Sequence, residues 1–339
     1  MKKVAVVILN YNGKRFLEKF LPNVIENSSD VAEVIVADNA STDDSVTFLK
    51  AAYPDIRLII NDFNGGFSTG YNIALRQVEA EYYCLLNSDI EVTPHWIEPV
   101  IELMDSDSNI AACQPKILSY YNRDKFEYAG AGGGFIDKYG YPFCRGRVFQ
   151  HLETDRGQFD DNKEVFWATG ACMFVRADVY HQFGGLDDSF FAHMEEIDFC
   201  WRVKNMGYKV MYCSQSKIYH IGGGTLPKSS ARKTYLNFRN NLSLLMKNLP
   251  KGSVFGTISY RIMLDWIAAL KFLFEGCLGD FWAVMRAHLS FYRHLPSLKK
   301  KRNALVHKHV SQIYQKNIVF KHFLEHKKLY GELNEKDFS

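Results

Sequence analysis

Val4-Ala5-Val6-Val7-Ile8-Leu9, followed by Asn10-Tyr11-Asn12-Gly13, opens the chain with an unbroken apolar, β-branched run that stops at a polar tip. A continuous run, rather than an alternating one, marks a strand buried on both faces of a parallel sheet. Phe16, Leu17, Phe20, Leu21 and Val24 then recur at helical spacing, and Val34-Ile35-Val36-Ala37 forms a second strand that stops at Asp38-Asn39. Ser41-Thr42-Asp43-Asp44 supplies N-cap chemistry for the next helix. A third strand, Arg57 to Ile60, runs into Asn64-Gly65-Gly66-Phe67, a helix begins near Ser68, and a fourth strand, Tyr82 to Leu86, stops at Asn87-Ser88-Asp89. This alternation predicts an α/β, doubly wound sheet. Ligands bind at the carboxyl ends of the strands in such sheets, and each of these four ends in Asn, Asp or Gly, so the tips should share one cleft.

Regular patterning loosens from about 110 to 165 around Gly130-Ala131-Gly132-Gly133-Gly134. It returns at Phe166 to Val175, with a helix near Ala177 to Phe183, the turn Gly184-Gly185-Leu186-Asp187, helical spacing from Phe190 to Arg202, and a last strand from Lys209 to Cys213 leading to Ile218-Tyr219-His220. The globular unit is expected to close near residue 225. The 339 residues are 47% hydrophobic and 23% charged, which excludes a disordered or fibrous chain. The formal net charge of +3 is a sum of opposites: residues 1–225 carry 21 Lys+Arg against 31 Asp+Glu, and residues 226–339 carry 20 against 7. Seven cysteines without a CxxC pair argue against a disulfide framework or zinc ribbon and for a reducing compartment. The opening apolar run is too short for a signal-peptide core, and no stretch is long enough to span a membrane.

The first turn lacks G-x-G-x-x-G and no G-x-x-x-x-G-K-[ST] occurs, which disfavours a nicotinamide dehydrogenase and a P-loop nucleotidase. Asp89, with Asn87, offers hard oxygen ligands to Mg²⁺ or Mn²⁺ bridging a diphosphate. His220, just beyond a strand and followed by Gly222-Gly223-Gly224, is a second candidate ligand, beside glycines that would let backbone approach a phosphate. Glu195, Glu196 and Asp198 place three carboxylates at the start of an aromatic-rich helix. They either complement the helix dipole or provide a general base whose pKa the aromatic setting raises. Adjacent helical residues point apart, so Glu195 and Glu196 cannot both serve one face.

Together these strings resemble the inverting family-2 glycosyltransferases of the GT-A fold, in particular the rhamnosyltransferase-like members. The likeness rests on Ile8-Leu9-Asn10-Tyr11-Asn12, Asp38-Asn39-Ala40-Ser41-Thr42-Asp43-Asp44-Ser45, Asn64 to Asn72, Asn87-Ser88-Asp89 in the D-x-D place, and Gly184 to Asp198, in that order over about residues 3–225. The resemblance implies a GT-A mixed sheet with a helical C-terminal extension. It also implies metal-dependent inverting transfer from a UDP- or dTDP-linked sugar to a hydroxyl of a glycan or lipid-linked acceptor in surface polysaccharide synthesis. On that reading Leu9, Asn10 and Asp38 hold the base, and Asn64, Gly65, Gly66, Asn72 and Asn87 approach the donor. Asp89 and His220 bind Mg²⁺ or Mn²⁺, Trp167, Gly170, Ala171 and Asp198 shape the acceptor side, and Glu196 or Glu195 deprotonates the acceptor. Asn87 leaves one carboxylate fewer in the D-x-D place, and Glu196 stands where many relatives have Asp. The alternatives are a sugar nucleotidyltransferase, for which Asn10-Tyr11-Asn12-Gly13-Lys14 is a poor triphosphate loop, and a non-catalytic scaffold of a glycan-assembly complex.

Residues 226–339 form a basic, mostly helical region outside these motifs. From Val254 to Glu275 the pattern sets Arg261, Asp265, Lys271 and Glu275 on one arc and Ile258, Ile262, Met263, Trp266, Ile267, Leu270, Phe272, Leu273 and Phe274 across the rest. Trp282 to Leu295 continues in aromatic-rich style before Lys299-Lys300-Lys301-Arg302. A broad aromatic face beside a basic cluster predicts contact with an anionic membrane surface, on the inner face of the cell membrane of a cytoplasmic protein. Packing on the catalytic domain or a homodimer interface is the other reading. No nucleic-acid-binding motif accompanies the charge.

Overall fold

The computed structural model describes residues 2–222 and 230–339. The opening run is β1 (Val4–Asn10), buried along its length, and α1 (Lys14–Glu26) covers one face of the sheet with Leu17, Phe20, Leu21 and Val24. β2 (Ala32–Asp38), α2 (Ser45–Ala52), β3 (Arg57–Ile60), α3 (Gly66–Leu75), β4 (Tyr82–Asn87), β5 (Ile90–Val92), α4 (Glu98–Ser106) and β6 (Ile110–Ser119) complete the alternating half. The loosely patterned stretch folds as short strands β7 (Gly134–Asp137), β8 (Pro142–Cys144), β9 (Arg147–Val148), β10 (His151–Leu152) and β11 (Lys163–Val165). β12 (Cys172–Arg176), α5 (Ala177–Gln182), α6 (Glu195–Asn205) and β13 (Lys209–His220) close the front part. The rest holds α7 (Ala231–Asn248), α8 (Val254–Phe274), α9 (Leu278–Asn303), β14 (Ile313–Tyr314) and α10 (Ile318–Phe323).

The main sheet runs β11-β13-β6-β12-β4-β1-β2-β3, with β5 added beside β13. β1 pairs in parallel with both β2 and β4, and β12 pairs antiparallel to β4 and β6, which makes the sheet mixed. The order reverses between β1 and β4, the switch point at which open α/β sheets bind ligands. Register puts Asn10 opposite Asp38 and Leu9 opposite Asn87, so the expected polar tips stand side by side along one sheet edge.

Two sequence expectations change in detail. The last strand does not stop at Cys213: β13 continues to His220 through an irregularity between Cys213 and Lys217, so His220 ends a strand rather than following one. The stretch from Phe190 is not one helix. A single 3₁₀ turn, Asp188–Phe190, is followed by Phe191, His193 and Met194 with positive φ, and α6 starts only at Glu195.

The expected division near residue 226 falls outside the described residues. On its far side, β14 joins β7 in a second sheet, β10-β9-β8-β7-β14, and Ile318 donates its N–H to the buried Asp137 carboxylate at 3.0 Å. α7 packs on α6 through a buried ion cluster. Lys247 bridges Asp187 and Asp198 and lies 2.8 Å from the latter, while Arg202 holds Asp198 from the other side at 2.8 Å.

Candidate active site

The cleft is built from strand tips that hold one another. Asn10 Nδ2 donates to Asp38 Oδ2 at 2.9 Å and to Ser41 Oγ at 3.2 Å, and the Ser41 N–H donates to Asp38 Oδ1 at 2.8 Å. Asp38, expected to meet the base, is completely buried with both oxygens engaged, so it organises the β1 and β2 tips. Ser41, expected as N-cap chemistry, serves this junction, and Asp43 instead accepts the Ser45 N–H at 3.0 Å at the start of α2. Asn39 and Asn61, which motif reading did not single out, tie β2 to the glycine loop. Asn61 Nδ2 donates to Asn39 Oδ1 at 3.1 Å, and Asn39 Nδ2 donates to Asn64 Oδ1 at 3.0 Å and to the Gly66 carbonyl at 2.9 Å.

Gly66 has φ +76°, and a Cβ there would lie 2.4 Å from the Phe191 carbonyl oxygen. That carbonyl accepts the Phe67 N–H at 2.6 Å, so the Asn64-Gly65-Gly66 turn is fastened to the segment that precedes Glu195. Gly170 packs on the Phe67 ring, where a Cβ would sit 2.9 Å from Cζ, and the Ala171 carbonyl accepts the Asn87 N–H at 2.9 Å. Both thus border the donor loop and the β4 tip. Three other expected residues are turned inward. The Trp167 indole N–H donates to the Phe135 carbonyl at 2.9 Å in the core. The Asn72 amide fixes the Gly185–Asp188 turn through Leu186, Asp188 and the Tyr180 hydroxyl. Asp198 is wholly buried in the ion cluster with Arg202, Lys247 and Asn248, which holds its pKa below the usual range against the effect of burial.

At the β4 and β13 ends, Asp89 Oδ1 lies 3.1 Å from His220 Nε2, and Asn87 Nδ2 reaches to 3.5 Å of the same nitrogen. On the other side of the ring, Glu127 Oε2 lies 3.1 Å from Nδ1. Burial disfavours a charged imidazole, but the two carboxylates outweigh it and push the His220 pKa well above its ordinary value. His220 in turn holds Asp89 and Glu127 below the usual carboxylate range despite their burial. Glu127 comes from the stretch without readable motifs, so only the fold brings it here. Gly222, with φ +73°, packs against it, since a Cβ there would lie 2.5 Å from Glu127 Oε1. Gly223 and Gly224 lie outside the described residues.

Asp89 and His220 would fit a divalent ion that displaces the proton from Nε2: two donors on one edge of an octahedron with bonds near 2.1 Å stand about 3 Å apart. Glu127, 3.1 Å from Nδ1, stands where a carboxylate would orient the imidazole from behind were His220 to ligate a metal. Among the described residues no three His, Cys, Asp or Glu side chains gather to hold a metal unaided. The two donors therefore suit an ion that completes its shell with water and substrate phosphate.

Glu195 is buried and Glu196 half-buried at the start of α6, so the two carboxyls do differ in access, as their adjacency implied. Burial pushes the Glu196 carboxyl up to about 7; burial and then the charge of Glu196 push Glu195 well above its ordinary value. Each keeps a buried oxygen without a partner, and so do Ser68 Oγ on α3 and Asn10 Oδ1 at the β1 tip, as does the ring nitrogen Nε2 of His193. Buried polar atoms rarely stay unpaired, and several from the strand tips and the start of α6 mark a place that a polar ligand completes. Burial and the nearby Lys233 lower the His193 pKa to about 4, which keeps that ring neutral.

Strand tips that carry an aspartate–histidine pair, near a buried carboxyl whose pKa burial raises to about 7, suit a group-transfer enzyme. The model of glycosyl transferase family 2 matches residues 5–184. The chain belongs to this family. Similar to this glycosyltransferase is the low-salt glycan biosynthesis hexosyltransferase Agl10 of Haloferax volcanii, 27% identical over 275 residues, which cover 79% of this chain and 81% of that one. The N-acetylglucosaminyl-diphospho-decaprenol L-rhamnosyltransferase of Mycobacterium tuberculosis is 23% identical over 318 residues, covering 89% and 97%. Among solved structures, that of GalNAc-T7 with UDP, GalNAc and Mn²⁺ superposes with a TM-score of 0.58 at 15% identity, over 74% of this chain and about half (49%) of that one. The mannosyltransferase PcManGT of Pyrobaculum calidifontis, in complex with GDP-Man and Mn²⁺, superposes with 0.50 at 14% identity, over 89% and 87%. These likenesses establish the GT-A fold of the glycosyltransferase. No helix among its described residues is long and apolar enough to cross a membrane.

Proposed function

We propose that this glycosyltransferase moves a sugar, with inversion, from a nucleoside diphosphate donor to a hydroxyl of a glycan carried on a membrane-borne lipid diphosphate, and that it uses Mn²⁺ or Mg²⁺. The observation that carries the reading is the Asp89–His220 pair, 3.1 Å apart where the turn between β4 and β5 meets the end of β13. Two named relatives support the substrate classes: one acts on N-acetylglucosaminyl-diphospho-decaprenol, the other in glycan biosynthesis.

A divalent ion held by Asp89 and His220 would neutralise charge on the departing diphosphate. Leu9, Asn10 and Asp38 line the base end of the cleft, and the Gly65–Gly66 backbone lets the donor approach where a side chain would collide. Glu196, half-buried with its carboxyl pKa pushed up to about 7, would take the proton of the acceptor hydroxyl as it attacks the anomeric carbon. Gly170 and Ala171 border the space for that acceptor. Incubation with a panel of UDP-, dTDP- and GDP-sugars plus Mn²⁺ or Mg²⁺ tests the reading, with product stereochemistry read by NMR. One donor should bind and transfer with inversion only when metal is present; no donor binding or turnover across the panel refutes it.

A further inference from the structure

Helix α8 has its polarity turned inside out. Its inner side carries Arg261 and Asp265, both buried, with Arg261 Nε 2.7 Å from Asp265 Oδ1 and His288 of α9 at 3.2 Å from Oδ2. Of the four charged residues that the spacing sets on one arc, Arg261 and Asp265 pack inward, while Lys271 and Glu275 stay exposed. Outward stand Met263, Trp266, Ile267, Leu270 and Phe274 at positions i, i+3, i+4, i+7 and i+11, one face of a helix, with Phe274 85% exposed. Beyond the turn at Gly276, α9 exposes Leu278, Trp282, Leu289 and Tyr292 at the same kind of spacing, with Leu289 71% exposed. Apolar faces of this extent on two packed helices mark a contact surface.

A cleft of about 650 Å³ opens between α7 and α9, lined by Arg232, Tyr235, Arg286, Leu289, Arg293 and His294. Arg286 and Arg293 stand one turn to either side of Leu289, so the cleft and the apolar face of α9 share that residue. None of the three arginines is in an ion pair among the described residues. Arg261, Lys247 and Lys301, by contrast, all have carboxylate partners. Three unpaired guanidinium groups around one cleft suit the multiple charge and oxygen array of a diphosphate. Arg232 also lies over the Phe191 ring, 5.1 Å from its centroid, and the Phe191 carbonyl anchors the donor loop. The cleft thus borders the active site.

We propose that this cleft binds the diphosphate of a membrane-borne lipid carrier while the outer faces of α8 and α9 lie in the bilayer interface. The proposal rests on the lipid-linked acceptor read above. Charge favours the bilayer over a second copy of the chain, because an isologous contact through this face would bring its own arginines together.

Sedimentation with three vesicle types tests it: phosphatidylcholine alone, phosphatidylcholine with phosphatidylglycerol, and phosphatidylcholine with an isoprenyl diphosphate at matched surface charge. The protein should bind the diphosphate vesicles at least about tenfold better than the charge-matched ones. Arg286→Ala/Arg293→Ala should remove that preference and lower partitioning about 30-fold, since each basic residue near an anionic surface contributes about fivefold, or about 1 kcal/mol. Phe274→Ser/Trp282→Ser should weaken binding to all three vesicles, and these exposed changes should leave the unfolding temperature in place. Equal binding at matched charge overturns the cleft assignment. Absence of vesicle binding, or a dimer in light scattering that Phe274→Ser/Trp282→Ser dissolves, overturns the membrane surface. Calorimetry of nucleotide and Mn²⁺ on the unaltered protein separates the failures: nucleotide binding without vesicle binding sinks this proposal alone, and the reverse sinks the donor reading.

Discussion

Glu196→Gln tests whether the candidate base is held at a cost to stability. Its carboxyl pKa of about 7, against an ordinary value of 4.5, means that the folded state favours the protonated acid. For a carboxyl raised in this way the unfolded chain loses its proton first as pH rises, so the residue destabilises the fold increasingly from pH 4.5 to 7 and at a constant level above. The difference is worth about 3 kcal/mol at pH 8 and about 1 kcal/mol or less at pH 5, at about 1.4 kcal/mol per pKa unit. Glutamine keeps the shape and removes the ionisation. With an unfolding entropy of about 2.1 cal/mol/K per residue over 339 residues, the variant should melt about 4 °C higher at pH 8 and about 1 °C higher at pH 5. Sugar transfer should be lost, by about 10²- to 10⁴-fold for a general base, with donor binding retained. Thermal unfolding by circular dichroism at the two pH values, beside a transfer assay, reads both. Stabilisation equal at both pH values refutes the burial argument, and unchanged turnover moves the base role to Glu195.

Transfer by the unaltered enzyme should rise tenfold per pH unit below about 7 and level off above it, since Glu196 must lose its proton to act; a kcat profile checks the limb. Glu127→Gln should weaken Mn²⁺ binding by about 10- to 100-fold, read by electron paramagnetic resonance, because Glu127 fixes the His220 ring without being a ligand. Gly66→Ala should lower donor affinity and cost about 1–3 kcal/mol of stability, since φ is +76° and the Phe191 carbonyl occupies the space for a Cβ; calorimetry and thermal melts read the two effects. Lys247→Met should cost about 3–5 kcal/mol, because it leaves Asp187 and Asp198 buried against each other, and should appear as a large fall in unfolding temperature.

The alternating half was legible because its strands are buried on both faces and therefore read as unbroken apolar runs. Val4 to Leu9 and Tyr82 to Leu86 became β1 and β4, and their end residues, Asn10 and Asn87, fall at neighbouring tips. Asp89 and His220 could be singled out because each stands at or just past the end of a strand, Asp89 in the turn after β4 and His220 at the end of β13. Glu127 was not, because nothing local distinguishes it: it reaches His220 only through the pairing of β13 with β6. Asp198 and Asn72 misled because an acidic or amide residue inside a motif looks the same whether it meets substrate or holds a neighbouring turn. What decides is the partner, and for Asp198 the partners include Lys247 and Asn248, on a helix that the motifs do not include.

The basic surplus of residues 226–339 shows how far a charge count can be taken. Some of it is structural: Lys247 and Lys301 serve Asp187, Arg261 serves Asp265, and Arg302 donates to the Met246 carbonyl at 3.0 Å. Lys301 and Arg302 belong to the run expected to face a membrane as a block, yet both turn toward the protein, and only Lys299 and Lys300 are left exposed with no such contact. Of the charge in no ion pair among the described residues, some is scattered over the surface, as at Lys251, Lys308 and Lys336, while Arg232, Arg286 and Arg293 surround one cleft. Three arginines gathered at one cleft, beside a helix with a broad exposed apolar face, call for a ligand that is charged at one end and apolar at the other. A lipid diphosphate is such a ligand; nucleic acid, which would want the charge along a groove without the apolar face, is not.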